Sequence, residues 1–172
     1  MSDLPEYILA RVFDAPREMV WCAWTDPEIL HRWYGPNIET IIHEFELKPG
    51  GAWLNEMKMG GNSHFSKMVF QEATQPEKLV WHHFSSTDSD WNNIANPMMA
   101  DWPRVLLTTV LFEDLGDKTN VRLSQVPLEA TDAEITCFAG AMANMDKGWG
   151  AGYAIMDELF VELQAEGERD ER

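Results

Sequence analysis

The chain of 172 residues carries 29 acidic against 13 basic side chains, a formal net charge of −16, and is 45% hydrophobic. A length like this fits one domain that buries roughly 70% of its unfolded surface, and so strong a negative charge argues against DNA, RNA or anionic membrane as partners. Two cysteines, Cys22 and Cys137, lack zinc-ligand spacing and are too few for a disulfide framework.

No apolar run approaches the ~20 residues that cross a bilayer, and the opening MSDLPEY lacks the charged and apolar regions of an export signal. A soluble cytoplasmic protein is therefore expected, as one domain over residues 1–165 with a charged, fraying tail over 166–172.

Tyr7 to Phe13 alternates and is rich in β-branched and aromatic residues, which suits a first strand. Pro16 opens a short helix through Val20, Ala23 and Trp24, and Asp26-Pro27 stops it and starts another through Ile29, Leu30 and Trp33. Strand-like runs follow at Ile38 to Leu47, Ala52 to Met59, His64 to Glu72, Leu79 to Ser85, Val105 to Glu113 and Asn120 to Val126. Turn-rich connectors at Pro49-Gly50-Gly51, Gly60-Gly61-Asn62, Gln75-Pro76 and Gly116-Asp117 are short enough to make an antiparallel meander. Alternation puts Trp53, Asn55, Met57 and Met59 on one face of their strand, and Trp81, His83 and Ser85 on one face of theirs.

One connector departs from this pattern. Ser86 to Pro103 mixes Ser, Asp and Asn with Trp91, Ile94, Met98, Met99 and Trp102, too apolar a set for a solvated loop. This loop, or an exposed strand edge, is expected to bury itself in a homodimer.

Thr131 to Leu163 repeats apolar residues at alternating steps of three and four: Ile135, Phe138, Met142, Met145, Trp149, Gly152, Met156, Leu159 and Leu163. That is one long helix with a single inward stripe. Thr131 and Glu134 form a capping box at its start, and Gly167 marks the expected end. Gly140, Gly148, Gly150 and Gly152 each cost ~1 kcal/mol relative to Ala, so they are read as gaps in the lid of a core or pocket.

Strand, two short helices, meander and long closing helix together resemble the START-like or SRPBCC superfamily. APREMVWCAWTDPEILHRWYGP (residues 15–36) and FELKPGGAW (45–53) look like opening signatures of its branch named for homologues of the activator of heat-shock-protein-90 ATPase. QPEKLVW (75–81), GDKTNVRL (116–123) and KGWGAGYAIMDEL (147–159) look like its later motifs. The resemblance implies an α+β helix-grip fold, a curved antiparallel sheet of six to seven strands around a long C-terminal helix, often with a hydrophobic cavity between them. Its implied activities include ligand binding, a co-chaperone-like interaction with a chaperone, and cyclase- or hydrolase-like chemistry on a hydrophobic substrate.

His82 and His83 point to opposite strand faces and cannot share one ion, and no other residues have metal-ligand spacing. His83 beside Glu56 or Asp146 would make a general base, against the alternative of a satisfied polar residue. Cys22 is placed on an apolar helix face, Cys137 lacks a necessary histidine, and GWGAG lacks the strand-then-turn context of a nucleotide fingerprint. No catalytic residue, metal or cofactor is assigned.

Eight tryptophans and ten methionines suit an apolar ligand or an oversized core. The expected partner is a small apolar molecule, held by Trp53, Met57, Phe65, Trp81 and His83 from the sheet and by Met142, Met145, Trp149 and Tyr153 from the helix.

Overall fold

The computed structural model describes residues 4–35 and 38–170, excluding the side chains of 168–170. The chain runs β1 (Tyr7–Phe13), α1 (Arg17–Thr25), α2 (Pro27–Trp33), β2 (Glu39–Phe45), β3 (Ala52–Met59), β4 (Asn62–Thr74), β5 (Lys78–Thr87), β6 (Val105–Asp114), β7 (Thr119–Pro127) and α3 (Asp132–Asp170). The seven strands form one antiparallel sheet in the order β1-β7-β6-β5-β4-β3-β2, curved around α3 in a helix grip.

Local chemistry accounts for the boundaries. The Asp26 N–H bonds the carbonyl of Cys22 at 2.8 Å to close α1, and its side chain accepts from the Glu28 amide at 3.0 Å to open α2. Gly60 and Gly61 take φ of 54° and 92°, the left-handed pair that a two-residue hairpin turn requires. That turn pairs Met59 with Asn62 and therefore Met57 with His64. At α3 the capping box is formed in both directions, Thr131 N to Glu134 Oε1 at 3.0 Å and Glu134 N to Thr131 Oγ1 at 3.1 Å. The helix does not stop at Gly167 but continues to Asp170.

The concave sheet face carries Trp53, Met68, Phe70, Trp81, Val110, Phe112, Val121 and Leu123, all buried. Against it α3 sets Phe138, Tyr153, Met156, Leu159 and Phe160. Helices α1 and α2 close one end with Trp24 and Trp33, whose ring centroids lie 4.7 Å apart edge to face, and Trp24 also stacks on Trp149 at 6.1 Å.

The loop between β5 and β6 grips both faces of the sheet. Trp91 sits edge-on to Phe65 at 5.4 Å and to His43 at 5.5 Å on the convex side. Trp102 reaches the concave side, where it packs on Phe138 at 5.6 Å and donates its indole N–H to Ser85 Oγ at 3.1 Å. Both tryptophans thus pack on their own chain, while Ile94, Met98 and Met99 stay exposed.

Candidate functional site

A cavity of about 350 Å³ lies between the concave face and the middle of α3. Its wall has four sources. The end of α2 supplies Trp33, Tyr34 and Gly35, and the sheet supplies Met57, His64, His83, Ser85, Leu106 and Gln125. The β5–β6 loop adds Asn96 and Trp102, and α3 adds Met145, Gly148, Trp149 and Gly152. Among the described residues no Asp, Glu, Lys or Arg lines it.

Space survives there because one stretch of α3 is stripped of side chains. A Cβ at Gly148 would meet nothing within 4 Å. Gly152 is different: its Cβ would stand 3.2 Å from the Trp33 carbonyl oxygen and 3.3 Å from the Trp33 ring. Glycine at 152 therefore serves the close approach of α2 to α3 as well as the cavity. Gly140 and Gly150 do not border the cavity, and a Cβ on either would enter open space.

The polar groups of the wall are held in defined orientations. Trp81 Nε1 donates to His83 Nδ1 at 3.2 Å. An indole N–H can only donate, so Nδ1 keeps its lone pair and the neutral ring carries its proton on Nε2. Burial, with a smaller contribution from neighbouring His64, pulls the His83 pKa down to about 4, so the ring is neutral near pH 7. His64 Nε2 donates to the Ser85 carbonyl at 2.8 Å, and Gln125 Nε2 bonds Thr108 Oγ1 at 3.1 Å. Ser85 Oγ accepts from Trp102 and retains its own proton for donation.

A sequence profile described as Activator of Hsp90 ATPase homolog 1-like protein matches residues 14–161. The chain belongs to this family. Its fold recurs in solved structures: a Mycobacterium smegmatis protein superposes with a TM-score of 0.74 at 18% identity over 92% of this chain and 95% of that one. An Arthrobacter aurescens protein gives 0.72 at 22% identity over 91% and 86%. The AHSA1 protein of Silicibacter pomeroyi gives 0.69 at 17% identity over 94% and 99%. No curated protein matches the chain.

Within this family fold, Met57, His83, Met145 and Trp149 line the cavity. Trp53, Trp81 and Tyr153 lie behind the wall as core residues, at most 1% exposed. Trp81 still acts on the site through its bond to His83. Met142 packs against the core outside the cavity wall. Phe65 lies opposite Glu56 on the convex face, beneath Trp91, and cannot reach the space.

Several wall residues escaped the sequence reading. Ser85, placed by alternation on the face of Trp81 and His83, belongs to the wall as well, and His64 follows from the register of the Gly60-Gly61 turn. Gln125 is a polar residue at an inward position of β7, with the same parity as buried Val121 and Leu123. Trp102 and Asn96 depend on the path of a long loop, which no periodicity encodes.

The general-base arrangement is not formed. Glu56 accepts from His43 Nε2 at 2.8 Å on the convex face, and Asp146 accepts from Tyr7 Oη at 2.8 Å, so neither partners His83. Cys22 is exposed rather than on the apolar face of α1, and partial desolvation of its thiol, with nearby Asp26 and Glu18, pushes its pKa up, away from nucleophilic reactivity. Among the described residues no group of three or more His, Cys, Asp and Glu side chains could hold a metal, and no helix is long and apolar enough to cross a membrane.

Proposed function

We propose that the protein binds a small, mostly apolar molecule in the cavity between the sheet and α3. The observation that carries this reading is a space of about 350 Å³ with aromatic and methionine walls and no charged residue among the described lining. That size is near the lower end of the ~300–1,000 Å³ usual for ligand sites, which suits a compact ring system better than a long lipid chain.

The uncharged fluorescent dye N-phenylnaphthylamine tests it. One-to-one binding, quenching of tryptophan emission and a raised melting temperature are expected, because a ligand that binds only the folded state stabilises it by mass action. Gly148→Leu places a side chain at the cavity wall without meeting protein at Cβ and should weaken the dye strongly. Full-strength binding by that variant places the dye elsewhere and defeats the reading.

A further inference from the structure

Resting on that binding reading, we infer that the cavity selects an uncharged flat molecule presenting a hydrogen-bond acceptor, of the aryl ketone or aldehyde type, to the Nε2–H of His83. The geometry of the wall gives three reasons. Trp81 occupies Nδ1 from behind at 3.2 Å, which fixes the proton on the opposite nitrogen, and among the described residues nothing in the protein accepts from it. That N–H belongs to a residue lining the cavity, so a bound acceptor completes its bonding.

The second reason is the company His83 keeps. The Ser85 hydroxyl takes the Trp102 indole proton as an acceptor, which leaves its own O–H as a second donor in the same wall. Two donors favour a ligand oxygen with two lone pairs. The third reason is charge. A carboxylate would lose its hydration with no Lys or Arg among the described lining, inside a chain of net charge −16. An ammonium group gains from aromatic faces but has no carboxylate among the described lining and meets the positive ends of two donors.

A matched series on one ring system separates these possibilities: acetylnaphthalene, ethylnaphthalene, naphthoate and naphthylmethylammonium, titrated at pH 7 into protein labelled with ¹⁵N at histidine. His83 should appear as the Nε2–H tautomer. Acetylnaphthalene should move its Nε2 proton downfield, and ethylnaphthalene should bind without that shift. Both charged analogues should bind at least about tenfold more weakly than the ketone. His83→Phe should reduce the ketone's affinity relative to the hydrocarbon by about three- to tenfold, the worth of one net hydrogen bond. The inference alone falls if the hydrocarbon binds but the ketone leaves Nε2–H unmoved, or if naphthoate or the ammonium binds as tightly as the ketone. If none of the four binds, the cavity reading itself falls and takes the inference with it.

Discussion

The two halves of α3 carry the same stripe and do different things with it. From Gly152 to Phe160 the inward positions Tyr153, Met156, Leu159 and Phe160 are all buried, at most 3% exposed. Side-chain bonds also tie this half down: Arg32 Nη2 to Glu162 Oε2 at 2.6 Å, Gln164 Nε2 to the Asp14 carbonyl at 2.8 Å, and an Arg11–Asp157 ion pair. In the first half only Phe138 reaches full burial, while Met142, Met145 and Trp149 are half-buried. An identical three-four period thus yields a core on one side and a cavity wall on the other. Periodicity fixes which way a side chain points; the distance to the facing sheet decides whether it touches anything.

The largest expected effect sharpens that contrast directly. Met156 is 0% exposed, so Met156→Ala should cost ~2–5 kcal/mol as a large core truncation. Met145→Ala enlarges a space that already exists and removes a half-buried side chain, so about 1 kcal/mol is expected. Dye affinity should respond in the opposite order, falling more for Met145→Ala. Denaturant melts and dye titrations on the same two variants check both, and equal stability losses would erase the distinction between the halves.

Much of this was legible beforehand, and the exceptions have physical causes. The strands, both short helices, the capping box and the inward stripe rest on local rules, and each appears within about two residues of where the sequence places it. Phe65 is an exception that the hairpin turn itself decides: two central glycines at 60 and 61 pair Met57 with His64, so Phe65 faces outward with Glu56 rather than into the cavity. Sequence pattern gives Trp53, Trp81 and Tyr153 the right face but not the right depth, because depth follows from sheet curvature and helix tilt. The protonation pattern at His83 was hidden for another reason. The pair Trp81 and His83 shares a face at i, i+2, but only the rotamers bring the indole N–H onto Nδ1.

The His83 environment separates wall from core by pH. Its folded pKa of about 4 lies below the ordinary 6.5, so between these values the unfolded chain holds a proton that the native ring refuses. Stability from this residue is therefore complete above pH 6.5 and is lost as pH falls toward 4, at no more than about 1.4 kcal/mol per pH unit. The ring is partly rather than fully buried, which lowers the slope below that ceiling. His83→Gln should remove this component, so the parent-minus-variant stability difference should shrink steadily from pH 7 to pH 4. A difference independent of pH would mean that His83 is solvated like a surface residue.

The smallest effect comes from two glycines one helical turn apart. Gly148 and Gly152 both border the cavity, although by sequence period only Gly152 belongs to the inward stripe. Gly148→Ala adds a methyl that meets nothing within 4 Å and removes the entropic handicap of glycine in a helix, so it should stabilise the protein by ~0.5–1 kcal/mol. Gly152→Ala gains the same propensity but presses its methyl to 3.2 Å from the Trp33 carbonyl oxygen, a backbone atom held by the packing of α2. The crowding offsets the gain, and the net change should be zero or a loss. Thermal melts of the two variants should therefore move apart, upward for Gly148→Ala and level or downward for Gly152→Ala. If both rise together, α2 yields easily, the approach at Trp33 is not a constraint, and Gly152 belongs with the open half of the helix rather than with its packed one.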